Sequence, residues 1–309
     1  MDAQVTPQKS ARRYLYFPGC ALKGTGRAYE ESLLALFRLL GLSLDELPDW
    51  NCCGATSYMA LDQESAALLS ARNLGLARQA GARDIVAPCS ACYLALRRCC
   101  DYTSRYEGIR NAVNAFLVSD GLPLAPAVRV RHPLELLYTE LGADGLRARV
   151  QRSWPGGPVA CYYGCQAVRP YGEVDRPHKP RRMDEILEAV GIPTVDYPLK
   201  TKCCSATHTG TAHTVGVRLV AILLKEAAQR GASAMVTICP LCQFNLDAYQ
   251  DEARREFREI TDMPILYLPQ AVGWVLGADA RSLGLHRGIA GQPSLRQWFG
   301  VLAKDGEHA

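Results

Sequence analysis

The feature that most constrains this chain is that its cysteines occur twice, in the same order, about 150 residues apart. The first set is Cys20, Cys52-Cys53 and Cys89-Ser90-Ala91-Cys92; the second is Cys165, Cys203-Cys204 and Cys239-Pro240-Leu241-Cys242. Equivalent positions are offset by 145, 151, 150 and 150 residues, and the flanks repeat as well. Phe17-Pro18-Gly19-Cys20 answers Tyr162-Tyr163-Gly164-Cys165, and Cys52-Cys53-Gly54-Ala55-Thr56 answers Cys203-Cys204-Ser205-Ala206-Thr207. Chance does not align ten cysteines and their neighbours in this way, so the chain must fold as two related halves. A Gly- and Pro-rich stretch around 144–157, with Gly142, Gly145 and Pro155-Gly156-Gly157-Pro158, marks the expected linker. The expected units are an N-terminal domain over 12–145, a C-terminal domain over 158–280 and a tail over 281–309.

Each half alternates strand and helix patterns. Short apolar runs at 14–17 and 159–163 end at Gly-Cys, as buried strands do. Helical spacing at 33–40 and 183–190 stops at Gly41 and Gly191. Longer amphipathic helices are expected over 65–79 and 214–229. Strands at 84–87 and 234–238 run directly into Cys-x-x-Cys, which then opens a helix. This alternation gives an α/β fold with a mostly parallel sheet flanked by helices in each half.

Thirteen cysteines need a chemical explanation. Residues 1–13 are polar and show no secretory signal, and no apolar run is long enough to span a bilayer, so the default location is the cytoplasm. There, structural disulfides are rare and dense cysteine means metal binding or redox chemistry. A net charge of +4 over 309 residues, without a basic run, does not indicate nucleic acid. Four cysteine groups fall at the carboxyl ends of expected strands, where parallel sheets bind ligands. A cysteine at a helix N-terminus is biased towards thiolate, the form that ligates metal or attacks sulfur. Adjacent cysteines reach one centre only from a loop, and Gly54 supplies that freedom. Five soft thiolates per half suit iron–sulfur ligation. Zinc and a metal-free dithiol relay compete with this reading; zinc needs only four ligands, usually with closer spacing. Cys99, Cys100 and Cys161 lie outside the repeat and read as buried structural thiols.

At these residues the chain resembles the cysteine-rich CCG domain family, in particular the B subunits of heterodisulfide reductases. The resemblance runs from Tyr14 to about Leu276. It is carried by Pro18-Gly19-Cys20, Trp50-Asn51-Cys52-Cys53-Gly54-Ala55, Tyr162-Tyr163-Gly164-Cys165, the run from Asp196 to Cys204, and Cys239-Pro240-Leu241-Cys242-Gln243-Phe244-Asn245-Leu246-Asp247. The resemblance implies two non-cubane 4Fe–4S clusters, one on Cys20, Cys52, Cys53, Cys89 and Cys92 and one on Cys165, Cys203, Cys204, Cys239 and Cys242. It implies a disulfide substrate between the clusters, and it implies two partners in the complex, one ferredoxin-like subunit and one flavin-containing subunit. No ferredoxin-type Cys-x-x-Cys-x-x-Cys-x-x-x-Cys-Pro run is present, so electrons are expected from such a partner.

The second half departs from the pattern. Ser205 stands where the family expects glycine, and the 34 residues between Cys204 and Cys239 are one fewer than between Cys53 and Cys89. Ser205 either restricts the loop or offers a hydroxyl to a cluster sulfide. Arg169 and Lys202 are the first candidates to hold an acidic substrate tail, with Lys200, His208, His213 and His178 as further candidates. Arg outnumbers Lys 28 to 7, a composition that fits a bacterium and the heterodisulfide-reductase-like complexes of sulfur oxidation, whose carrier is a lipoate-binding protein. The alternatives are a subunit of a coenzyme M–coenzyme B heterodisulfide reductase, an electron relay in a glycolate, lactate or glycerol-3-phosphate dehydrogenase, and a non-catalytic assembly scaffold.

Overall fold

A computed structural model describes residues 12–123, 128–258 and 262–300. The first half contains β1 (Arg12–Tyr16), α1 (Gly19–Lys23), α2 (Arg27–Leu39), β2 (Leu42–Glu46), α3 (Ser57–Leu61) and α4 (Gln63–Gln79). It continues with β3 (Asp84–Val86), α5 (Ser90–Arg105), α6 (Glu107–Ser119), β4 (Arg129–Arg131), α7 (Pro133–Leu136), a π-helical turn and α8 (Gly142–Arg147). The second half contains β5 (Val159–Tyr162), α9 (Arg182–Ala189), α10 (His213–Gln229), β6 (Ala234–Thr237), α11 (Pro240–Ala248) and α12 (Gln250–Phe257). It closes with β7 (Ile265–Tyr267), α13 (Leu268–Val275), a 3-10 turn and α14 (Gln292–Phe299).

Both sheets are wholly parallel. The first has the order β2-β1-β3-β4 and the second β5-β6-β7. A parallel bridge from Val159 to Thr194 occupies the place that β2 holds in the first half, so the two sheets share one plan. The strands of the second sheet are buried on both faces, which suits the apolar runs read from the sequence. Register places the ends of β1 and β3 side by side, with Tyr16 opposite Val86. Likewise Tyr162 lies opposite Thr237 at the ends of β5 and β6. The loops carrying Cys20 and Cys89 therefore leave from neighbouring strands, as do those carrying Cys165 and Cys239.

The halves are bound to each other by their cores. Tyr29 of α2 stacks on Tyr267 at the end of β7, with ring centroids 4.6 Å apart and planes within 6°. Its hydroxyl donates to the carbonyl of Ile238, and α13 packs along α2. One apolar cluster contains residues of both halves, so the repeat is a repeat of sequence and topology around a shared core.

Two element bounds fall inside the expected boundary segments. Residues 144–147, the start of the linker expected around 144–157, belong to α8, whose Leu146 is fully buried; the coil connection is 148–158. The tail expected over 281–309 is packed as far as it is described: Leu283, Leu285, Leu295 and Phe299 are buried, and Phe299 meets Trp154 and Trp274 edge-on or tilted. Residues 1–11 and 301–309 lie outside the described residues. No helix among the described residues is long and apolar enough to cross a membrane.

Candidate functional site: a buried line of thiols at the strand ends

The ten repeated cysteines collect at the carboxyl edges of the two sheets. Cys89 and Cys239 are the N-cap residues of α5 and α11, both in extended backbone, and each opens its helix as the sequence pattern predicts. Cys92 and Cys242 follow in the first turn. Gly19 and Gly164 have φ of +65° and +70°, a region closed to most side chains. The turn each makes presses the chain onto the helix opposite. A Cβ on Gly19 would lie 2.9 Å from Cys92 Sγ, and one on Gly164 would lie 3.0 Å from Cys242 Sγ.

The Cys-Cys pairs ride on loops held by buried side chains. Ser70 of α4 donates to the carbonyl of Cys53 at 2.8 Å, and Asn245 of α11 donates to the carbonyl of Cys204 at 2.7 Å. Asn73 and Asn51 exchange two further bonds, each 3.0 Å, behind the first pair. Gly54 has φ of +74° and lies against α4, where a Cβ would meet Ala66 Cα at 2.9 Å. Ser205 takes the same left-handed region, with φ of +69°, so the second loop keeps the glycine conformation without the glycine. Its N–H donates to Cys203 Sγ at 3.3 Å. The residue missing from the second half is lost between this loop and α10, where the first half inserts α3.

These loops bring the sulfurs into a continuous line. Cys53 and Cys92 are 3.2 Å apart, and Cys204 and Cys242 are 3.5 Å apart. Cys89 and Cys239 face each other across the boundary between the halves, close enough that each shifts the other's proton affinity. Cys53, Cys89, Cys92, Cys204, Cys239 and Cys242 are buried, Cys165 is half-buried, and Cys20, Cys52 and Cys203 reach solvent.

Crowding divides the protons unequally among these sulfurs. Bonds from the Cys52 and Cys92 thiols hold Cys53 well below the usual thiol range, and bonds from Cys242 and Cys89 do the same for Cys239. Cys203 is lowered to about 6 by the Cys165 thiol, helped by the Ser205 N–H and by the charges of His208 and Arg169. Their partners Cys52, Cys92, Cys165 and Cys242 are correspondingly raised. Each half thus presents thiolate, the ligating and nucleophilic form. The cysteines outside the repeat behave differently. Burial pushes Cys99 up to about 12 and Cys100 up to about 11, and it raises Cys161 strongly. They remain thiols.

The substrate-holding candidates separate into two groups. Arg169 and His208 stand beside Cys203; Arg169 also donates to the Thr201 carbonyl. Lys202 is exposed next to Cys203 in the chain, and Tyr162 Oη bonds its carbonyl at 2.6 Å. Lys200 and His213 are committed elsewhere. Lys200 is buried in an ion pair of 2.7 Å with Asp184, and His213 pairs with Glu252 at 2.6 Å. His178 is exposed on the loop before α9, with no contact that places it at the thiols. Sequence reading did not single out Asp184, Ser70 or Asn73. No local pattern marks them, since each acts on a partner more than ten residues away.

Among the described residues, no three Cys, His, Asp or Glu side chains surround a single ion. The donor set instead fits a larger sulfur-rich group, with five soft thiols per half.

Comparison with known proteins agrees with this geometry. The profile of the "CCG" cysteine-rich domain matches residues 14–97 and 159–247, one match in each half. The chain belongs to this family. It is similar to a protein of Wolinella succinogenes named "8-methylmenaquinol:fumarate reductase membrane anchor subunit", 29% identical over 280 residues, covering 90% of this chain and 97% of that one. It is also similar to the B subunit of the "Ferredoxin/F(420)H(2)-dependent CoB-CoM heterodisulfide reductase" of Methanosarcina acetivorans, 28% identical over 276 residues, covering 88% and 91%. Among solved structures, a hypothetical protein from Helicobacter pylori shares the fold, with a TM-score of 0.73 at 16% identity. That match covers 90% of this chain and 52% of the other. As a CCG-domain protein with this thiol line, the chain is an iron–sulfur redox subunit.

Proposed function

We propose that this chain holds two non-cubane 4Fe–4S clusters and works on sulfur–sulfur bonds between them, as the iron–sulfur subunit of a heterodisulfide reductase-like complex. Cys20, Cys52, Cys53, Cys89 and Cys92 hold one cluster; Cys165, Cys203, Cys204, Cys239 and Cys242 hold the other. The observation that carries this reading is the meeting of Cys89 with Cys239, which sets the two thiol sets against each other rather than in separate domains. When bound, two such centres would supply one electron to each sulfur of a disulfide, giving two thiolates without a free thiyl radical. The chain's own residues then do the positioning. Arg169 and His208, beside the exposed Cys203, and Lys202 supply cations for an acidic carrier or substrate tail. A lipoyl-type carrier of sulfur oxidation is the substrate class favoured here. A ferredoxin-like subunit and a flavin-containing subunit of the same complex supply or remove the electrons.

A second reading has one specific support: the Wolinella relative's name assigns it to a quinol:fumarate reductase, and this chain spans 97% of that relative. In that reading the clusters relay electrons and touch no disulfide. Paramagnetic resonance of the anaerobically purified protein separates the two. Addition of oxidised lipoamide or a coenzyme M-type heterodisulfide should produce a new signal from a substrate-bound cluster. An unchanged spectrum with every disulfide tried would refute the disulfide reading and favour the relay.

A further inference from the structure

The first half contains a cavity, and the second half carries larger side chains at three of the equivalent wall positions. The cavity has a volume of about 390 Å³ and lies among α3, α4, α5 and α6. Its walls include Met59, Ala67, Ala95, Ile109 and Val113. The repeat shows that this space is not imposed by the fold. Helices α4 and α10 span residues 63–79 and 213–229, equivalent at an offset of 150. At that offset Ala67 corresponds to Val217, Ser70 to Val220 and Cys99 to Tyr249. Val217 and Val220 are fully buried, Tyr249 packs on the second half's core, and α12 lies directly on α10. At these three positions the first half carries the smaller side chains.

Two features give the cavity a chemistry. Arg98 on its wall is half-buried, and its guanidinium donates to the thioether of Met59 at 2.7 Å, with no carboxylate in ion-pair range among the described residues. Gln63, Glu64 and Tyr102 also line the cavity. Glu64 and Arg98 give this lining one charge of each sign, so the polar part suits a neutral head with oxygen acceptors better than an anion. The second feature is position. Ala66 and Ser70, which line the cavity, are the residues that pack on Gly54 and bond the Cys53 carbonyl. One helix, α4, therefore separates the cavity from the first thiol set. Leu61 of α3 is 87% exposed and Tyr58 is 52% exposed, an apolar lip on the helix that lines the mouth.

We infer that this cavity binds a quinone: a flat apolar ring with two carbonyl oxygens, whose tail leaves over α3. The size falls within the ordinary range for small-ligand sites, and the few convergent polar groups within an apolar wall are their usual composition. Arg98 and Gln63 donate to the carbonyl oxygens, and the small alanines admit the ring. A quinone held here lies beside the iron–sulfur centre proposed above; its binding does not require that centre.

The test is equilibrium dialysis of the anaerobically purified protein against a methylated naphthoquinone bearing one prenyl unit. Saturable one-to-one binding in the micromolar range is expected. Ala112→Trp, at the exposed mouth, and Ala67→Leu, which puts a larger side chain where the second half has Val217, should each weaken binding at least tenfold. Arg98→Met should also weaken it severalfold. Iron content and thermal midpoint measured on the same samples confirm that each variant is folded, and they separate failure here from failure of the cluster reading. Absence of saturable binding in the wild type, or undiminished binding in both filled variants, would overturn the inference. So would saturation by decanoate that the quinone does not displace, since that outcome assigns the cavity to acyl carboxylates.

Discussion

The Asp184–Lys200 pair makes a prediction that joins stability to the site. Lys200 Nζ lies 2.7 Å from Asp184 Oδ1 with side-chain exposures of 10% and 1%, and the other carboxylate oxygen accepts from Tyr163 Oη at 3.0 Å. Tyr163 Oη in turn accepts from the Met183 N–H at 2.7 Å. The carbonyl of Lys200 receives the N–H groups of Tyr163 and Gly164, at 2.9 and 3.1 Å, so this network pins the turn that delivers Cys165. Removing one partner of a buried pair strands the other charge and costs roughly 3–5 kcal/mol. At roughly 2.1 cal/mol/K of unfolding entropy per residue, about 1 kcal/mol moves the thermal midpoint of a 309-residue chain by roughly 1.5 °C, so Asp184→Asn and Lys200→Met should each lower it by about 4–8 °C. The double variant, which strands neither charge, should recover at least half of the summed loss, because contacting partners are not additive. Differential scanning calorimetry of all four proteins under anaerobic conditions gives the cycle. Single-variant losses below about 2 °C, or a double variant showing the full sum of the losses, would refute the reasoning.

Three further outcomes follow from the site geometry. Gly164→Ala adds a left-handed penalty of about 1–2 kcal/mol and pushes on Cys242 Sγ, so iron measured by colorimetry should fall by about half while the first-half cluster remains. The Cys-Cys loops respond unequally to exchange: Ser205→Gly should change stability by less than about 1 kcal/mol, because relief at φ +69° is offset by the looser unfolded chain. Gly54→Ser should cost several times more, because its Cβ meets the backbone of α4; urea unfolding of both variants checks the contrast. Asp247 is pushed up to about 6 by burial, although the Ile289 and Ala290 N–H groups bond it. A carboxyl raised in the folded state binds its proton more tightly there than in the unfolded chain, so its contribution is full at low pH. It is lost as pH rises from about 4 through about 6, on the order of 3 kcal/mol in total. Asp247→Asn should flatten that part of the pH profile of urea unfolding.

The sequence made the repeat legible, and with it the strand-to-cysteine junctions and the two long helices, because these depend on local periodicity and on glycine and cysteine positions. Helix α4 begins two residues before the expected start and α10 one residue before it, where Asp62 caps α4 through the Ser65 N–H. Other features depend on contacts between distant residues and could not be read locally. The stacking of Tyr29 on Tyr267 fuses two expected domains into one core, and burial of Leu295 and Phe299 turns an expected tail into part of that core. Lys200 looked like a substrate cation because it is near Cys203 in the chain; its partner Asp184 is on a different element. Arg169 precedes Cys203 in sequence and also stands beside it in space. The Ser205 departure, suspected of altering the loop, leaves its backbone conformation intact.

The central claim is that ten thiols hold two clusters. Iron and acid-labile sulfide in the anaerobically purified chain test it directly, measured beside a Cys92→Ser and a Cys242→Ser variant. Two clusters require about eight irons per wild-type chain and about four in either variant, since each cysteine serves a different half. A wild-type content near four irons, or zinc in place of iron, would contradict the claim.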